Sequence, residues 1–121
     1  MKAIIEITKP GTAFDSALAI ARQLDAGKAV QEADYHLSFS SAAQLFSELT
    51  PARLAILDEL KAAGPLSIYA LAKHVSRNYS NVHRDCVKLI KHELIEKDDA
   101  GRIFVPWDEV QIRLTLGHQA A

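Results

Sequence analysis

The stretch from Leu71 to Ile95 constrains the fold of this chain most, because its pattern predicts two helices joined by a tight turn. In the second of these helices, Val82, Cys86 and Leu89 recur at the spacing of a buried helical stripe. Polar and basic side chains recur on roughly the opposite face, at Asn81, Arg84, Lys88 and Lys91. A helix that is buried on one side and cationic on the other has the shape needed to lie in a nucleic-acid groove.

The charge of the chain is unevenly distributed. Its formal net charge is -1, which by itself argues against a nucleic-acid partner. Residues 73–92, however, hold five Lys or Arg against one Asp, whereas residues 93–121 hold three against six acidic residues. Positive charge is therefore concentrated on the two-helix unit, where phosphate contacts would be made. Taken alone, such a charge run is also typical of an ordinary solvated helix face.

Composition and length favour a folded cytoplasmic protein. The chain has 121 residues, of which 49% are hydrophobic, so a core can form and global disorder is not expected. A single cysteine excludes an intramolecular disulfide and fits a reducing compartment. No apolar run approaches the length of a membrane span, and Glu6 interrupts any N-terminal signal core. We therefore predict a cytoplasmic location and no membrane partner.

The N-terminal third of the chain has the pattern of a strand, a helix and a strand. Within residues 1–40, apolar side chains alternate over 3–7, although Ile4 breaks the alternation. An apolar stripe at helical spacing predicts a helix over 12–26, and alternation at 35–39 predicts a second, half-buried strand.

Residues 107–121 are predicted to form a C-terminal strand and tail, because apolar side chains alternate over 110–116. Each alternating segment of the chain needs a covered face and a strand neighbour. A three-stranded sheet backed by the predicted 12–26 helix would satisfy this within one chain. A short exposed sheet edge also invites pairing with a second copy, so we predict a homodimer built by the terminal segments, residues 1–40 above all.

Residues 41–106 carry helix signals followed by a hairpin signal. Cap residues and periodicity indicate helix starts at Ser41, Thr50, Ser67 and Tyr79. Residues 94–105 are predicted to form a β-hairpin around a glycine-containing turn. This order is that of a winged helix-turn-helix, so we predict an α+β chain in which residues 41–106 are the DNA-binding domain.

Three segments carry a resemblance to a known family. GPLSIYALAKHVS, NVHRDCVKLIKHELIEKD and GRIFVPWDEV resemble the winged helix-turn-helix transcriptional regulators of prokaryotes. They are similar to a group of small predicted regulators with a strand-rich N-terminal region, some of which resemble antitoxins paired with a small toxin. This chain departs from the pattern at Glu93, where such proteins usually have Gly before the Leu-Ile pair. The departure argues against the usual left-handed cap and suggests a slightly different helix end.

The resemblance implies contacts to bases and sugars for the first turns of the basic helix. Ser80, Asn81 and Arg84 lie where base edges are reached, since Arg can pair with guanine and Asn with adenine in the major groove. Tyr79 and His83 would pack on a sugar or donate to a phosphate.

The resemblance also implies phosphate contacts. Arg77, Lys88 and Lys91 would contact phosphates, which position a protein without reading sequence. Arg102, at the tip of the hairpin, would reach the minor groove or its phosphates. The plain alternative for each of these basic residues is an ordinary exposed side chain.

Signals for other chemistry are weak. There is no glycine-rich phosphate loop, nucleophile elbow or paired-carboxylate signature, so we predict neither an enzyme nor catalytic residues nor a cofactor. His83 and Cys86 have a spacing that could supply two metal ligands, but Cys86 falls on the apolar stripe. A buried structural cysteine is the favoured interpretation, and we predict no metal site.

These patterns favour a sequence-specific DNA-binding transcriptional regulator, acting as a repressor on double-stranded DNA. Two alternatives remain open. One is an antitoxin that binds a partner toxin and autoregulates its operon. The other is a winged-helix protein-interaction module that does not bind DNA.

Overall fold

The structure of the chain is a computed structural model that describes residues 1–8 and 34–116. Its elements are β1 (Lys2–Ile7), β2 (Tyr35–Phe39), α1 (Ala42–Glu48), α2 (Pro51–Ala63), α3 (Ile68–His74), α4 (Tyr79–Lys91), β3 (Glu96–Lys97), β4 (Ile103–Phe104) and β5 (Glu109–Arg113). Helices and small sheets are thus mixed, in agreement with the α+β class. The predicted helix over 12–26 lies outside the described residues. No helix within the described ranges is long and apolar enough to cross a membrane.

The described residues belong to two compact units. The terminal unit combines residues 1–8, 34–45 and 108–116, and the second unit runs from Phe46 to Trp107. The terminal unit therefore brings together segments from distant parts of the sequence, whereas the second unit is continuous in sequence.

A three-stranded parallel sheet forms the terminal unit, in the order β2-β1-β5. All three strands were predicted from their alternation. Ala3, Ile4 and Ile5 of the central strand are buried, and such burial on both faces is typical of central parallel strands. This explains why Ile4 breaks the alternation in the sequence.

Polar contacts fix the ends of this sheet. The amino group of Met1 lies 2.6 Å from the carboxylate of Asp108, and the backbone N–H of Asp108 donates to the Met1 carbonyl at 2.9 Å. Lys2 and Glu109, which are register partners in β1 and β5, form an ion pair at 3.3 Å. These contacts hold the beginning of β1 against the beginning of β5.

The helices of the second unit begin where their cap residues predict. The hydroxyls of Thr50 and Ser67 accept hydrogen bonds from the N–H groups three residues on, and Pro51 occupies the first turn of α2. The Asn78 side chain caps α4 by accepting from the N–H of Ser80 at 2.8 Å. The predicted start of the basic helix at Tyr79 is therefore confirmed.

The predicted hairpin is present. Strands β3 and β4 pair antiparallel, with Glu96 opposite Phe104 and Lys97 opposite Ile103. Leu66, ahead of α3, adds a bridge to the other side of Ile103 through two backbone hydrogen bonds of 3.0 and 2.7 Å. The hairpin is thereby joined to the segment that leads into α3.

The last turn of α4 corrects the expectation for Glu93. Its φ is 62°, so the residue is left-handed even though it is not glycine. The N–H of Glu93 donates to Ile90 and that of Leu94 donates to Leu89, which is the hydrogen-bond pattern of a Schellman motif. Leu94 and Ile95 are buried directly after this turn, and their burial holds the strained residue in place.

Replacing Glu93 by glycine tests this helix end. Glycine adopts a positive φ without a steric penalty, so we expect Glu93→Gly to raise the free energy of unfolding by about 1 kcal/mol. Glu93→Ala is the matched control, because alanine removes the carboxylate but keeps the Cβ that disfavours this conformation. Urea unfolding of both variants measures the difference, and equal stability of the two would contradict the backbone explanation.

Candidate nucleic-acid interface

Helix α4 has the two faces that the sequence predicts. Val82, Cys86 and Leu89 are completely buried. The polar and basic residues predicted for the opposite face are all exposed, namely Asn81, Arg84, Lys88 and Lys91. The division of the helix into a core face and a cationic face is therefore confirmed.

The first turn of α4 presents further polar groups to solvent. Tyr79, Ser80 and His83 are exposed, and the rings of Tyr79 and His83 lie 5.9 Å apart between centroids. The preceding turn positions them, because Ser76, just after the end of α3, adopts a φ of 53°, and Asn78 caps α4 two residues later. A tight helix–turn–helix connection thus places these side chains at the exposed start of α4.

Asp85 supplies a contact beneath the candidate site that sequence reasoning missed. It is buried on α4, and its Oδ1 accepts a hydrogen bond from Nε of Arg53 at 3.0 Å. Its Oδ2 accepts from Nη2 of Arg77 at 2.8 Å. One carboxylate therefore ties α4 both to α2 and to the turn between α3 and α4. A signal existed, since Asp85 lies three residues after Val82 and four before Leu89, on the buried stripe.

This ion-pair cluster distinguishes Arg77 from the other predicted phosphate contacts. The Arg77 side chain is partly buried, one of its terminal nitrogens binds Asp85, and its Nη1 is buried without a hydrogen-bond partner in the described part of the chain. Its guanidinium is thus directed into the protein. Lys88 and Lys91, by contrast, are exposed on α4.

A second polar contact holds the C-terminal end of α4. Nε2 of His92, the C-cap residue, lies 3.0 Å from a carboxylate oxygen of Glu48. This hydrogen bond is the main cause that lowers the pKa of Glu48, with smaller contributions from the charges of Lys88 and Arg53. Nη1 of Arg53 also donates to the Glu48 carbonyl at 2.7 Å. The end of α1 is therefore linked to both α2 and α4.

Arg102 lies at the hairpin turn, as predicted, and it is exposed but paired. Its Nε donates to Oδ2 of Asp98 at 3.0 Å, and Oδ1 of Asp98 accepts from the backbone N–H groups of Ala100 and Arg102. The hydrogen bond from the Arg102 backbone is the main cause that lowers the pKa of Asp98. The carboxylate thus stays anionic well below neutral pH, so part of the Arg102 charge is offset at the turn.

The geometry does not support His83 and Cys86 as a pair of metal ligands. Burial raises the pKa of the Cys86 thiol to about 11, with a smaller contribution from the neighbouring Asp85 charge. A thiol is a poor metal ligand while it keeps its proton. Among the residues that the structure describes, no group of three or more His, Cys, Asp or Glu is arranged to hold a metal ion.

Comparison with protein families gives a match for this chain. The sequence model of the HVO_A0114 family matches residues 48–112. This range includes the second unit from Glu48 onward and strand β5 except for its last residue. Searches of curated proteins and of solved structures gave no significant match.

The Asp85 cluster can be tested by removing its charge. Asp85→Asn keeps the side-chain shape but leaves two partly buried guanidinium groups without a counter-charge, so we expect a loss of about 3 kcal/mol of unfolding free energy. Asp58→Asn, on the exposed surface of α2, is the matched control and should change stability by less than about 0.5 kcal/mol. Thermal or urea unfolding measures both variants. An Asp85→Asn protein as stable as the control would refute the structural role of the cluster.

Proposed function

The chain belongs to the HVO_A0114 family, whose sequence model matches more than half of its length, and we propose that it is a sequence-specific DNA-binding transcriptional regulator. In this proposal, residues 41–106 form a winged helix-turn-helix and α4 enters the major groove of double-stranded DNA. The protein acts as a repressor by occupying its operator.

The charge of the exposed face of α4 carries this proposal. Arg84, Lys88 and Lys91 project outward, and Asp85, the one acidic residue of α4, is buried against two arginines. The outward face therefore carries cations and no carboxylate. A polyanion can approach such a face without like-charge repulsion from the helix itself.

The neighbouring elements support the same function. Helix α3, the tight turn and α4 follow one another as in a helix-turn-helix, and the β3–β4 hairpin follows as a wing. In this arrangement Ser80, Asn81 and Arg84 read base edges, while Lys88 and Lys91 hold phosphates. Tyr79 and His83 pack on sugars, and Arg102 contacts phosphates from the wing. Arg77 acts mainly by fixing α4 through Asp85.

Two variants of the basic face test DNA binding. We expect Arg84→Ala to weaken binding to the specific site by about 1–3 kcal/mol more than binding to random DNA, because it loses a base contact. We expect Lys88→Ala to weaken both alike and to reduce the salt dependence by about one charge. Titrations of the DNA upstream of the gene and of a scrambled duplex, at several salt concentrations, measure these effects.

A charge-matched control separates local contacts from net charge. Lys2→Ala removes one positive charge from the terminal sheet, where Lys2 pairs with Glu109, and should leave DNA affinity nearly unchanged. Unchanged affinity in both Arg84→Ala and Lys88→Ala would exclude the basic face as the DNA-binding surface. If no duplex bound at all, the protein-interaction module would become the better interpretation.

We further propose that the terminal unit forms a homodimer. In the described part of the chain, β2 and β5 each pair with β1 on one side only, and such sheet edges can pair with a second copy. Two-fold dimers are also the usual form of proteins that read paired DNA half-sites. We expect light scattering at micromolar concentration to give twice the chain mass of 13.3 kDa. A monomeric mass under these conditions would refute the dimer.

The antitoxin role stays a prediction. It would add a protein partner to the same DNA-binding function, with the terminal unit as the expected place for a toxin to bind. Identification of a small toxin-like reading frame next to the gene would support it.

A further inference from the structure

Helix α4 leaves apolar side chains on its outward face beside the basic ones. Tyr79, Val87 and Ile90 are 48%, 50% and 36% exposed, whereas the opposite face of the same helix is buried in the core. Valine is also a weaker helix former than the straight-chain residues that usually cover exposed helix surfaces. Local helix stability therefore gives no reason for a half-exposed valine at position 87.

The position of Val87 connects it with the proposed DNA-binding face. Val87 lies three residues after Arg84 and four before Lys91, so it is next to both on the helix surface. Four residues earlier, His83 continues the line of Val87 towards the start of the helix, and the Tyr79 ring lies against the His83 ring. From Tyr79 to Val87 this strip extends about 12 Å along the helix, or roughly three base-pair steps.

We propose that Val87, at the end of the strip defined by Tyr79, His83 and Val87, binds the C5-methyl group of thymine in the major groove, while the rings of Tyr79 and His83 pack on the adjoining sugars. The proposal rests on the DNA-binding function proposed above and adds a base preference to it. Among the groups that the four bases expose in the major groove, the thymine methyl is the apolar one. The strip would therefore select sites with thymine opposite Val87.

The surrounding charge favours DNA over a protein as the occupant. Arg84, Lys88 and Lys91 border the strip, so an apolar protein surface that covered it would approach or bury these cations without providing counter-charges. DNA provides phosphates for the cations and a methyl group and sugars for the strip at the same time. A second copy of this chain would bring the same three positive charges and would be repelled.

Uracil substitution tests the proposal with a change of one methyl group. The bound site in the upstream DNA is first located by footprinting, and each thymine in it is then replaced by uracil, which keeps base pairing and removes only the C5-methyl group. We expect one substitution or two adjacent ones to weaken binding of the unaltered protein about fourfold per methyl group, the affinity equivalent of burying one such group.

The Val87→Ala variant assigns the contact. Alanine is a better helix former than valine at an exposed position, so the variant should fold, which circular dichroism can check. We expect it to bind the thymine site about fourfold more weakly and to lose its sensitivity to uracil at the same position. Phe46→Ala, which truncates an exposed apolar side chain outside both α4 and the terminal unit, is the control and should keep the full sensitivity.

Each remaining outcome counts against the proposal in a distinguishable way. Specific DNA binding that is indifferent to every uracil substitution would overturn the thymine contact and leave the proposed function standing. Uracil sensitivity that persists in Val87→Ala would move the contact to another residue. A lower mass of Val87→Ala in solution would show that the strip is a contact between copies. Failure to bind any DNA would overturn the proposed function together with this inference.

Discussion

The carboxylate of Asp85 between the guanidinium groups of Arg53 and Arg77 fixes the orientation of α4. A buried charge is tolerated when it is paired and hydrogen-bonded, and here both carboxylate oxygens are occupied. Because the two arginines come from α2 and from the turn before α4, rotation of α4 about its axis would break one pair or the other. Because Asp85, the one acidic residue of α4, points inward, the outer face of the helix carries no acidic group. Packing of the core and the charge of the surface thus have a common cause.

Local signals account for most of the secondary structure. Helix starts were predictable because a cap residue and its N–H partner lie within three residues, as at Thr50 and Ser67. The hairpin was predictable because its glycine-containing turn is also a local signal. Alternation predicted the strands, but it carries no information about partner or direction, so the parallel order β2-β1-β5 could not be predicted. The burial of both faces of β1 around Ile4 follows from the central position of this strand in the sheet.

The candidate site was predicted in part. Exposure of Asn81, Arg84, Lys88 and Lys91 followed from helical periodicity alone. The pairing of Asp85 with Arg53 did not, because the partners are 32 residues apart: periodicity places Asp85 on the buried stripe but does not identify its partner. The resemblance assigns Arg77 to a phosphate, and the structure adds that its guanidinium donates to Asp85. At Glu93 the local preference was misleading. A non-glycine residue disfavours the left-handed conformation, but the burial of Leu94 and Ile95 directly after it holds Glu93 in that conformation.

The position of β1 between β2 and β5 also determines the order in which the two units can fold. Register pairs such as Lys2 with Glu109 join residues separated by almost the whole chain, so the sheet is complete only after the last strand has left the ribosome. The segment from Phe46 to Trp107 is continuous and rich in local helical contacts, and it can fold earlier and faster. During synthesis β1 can pair with β2 early but must wait for β5, so one edge of its apolar strand stays unpaired in that interval.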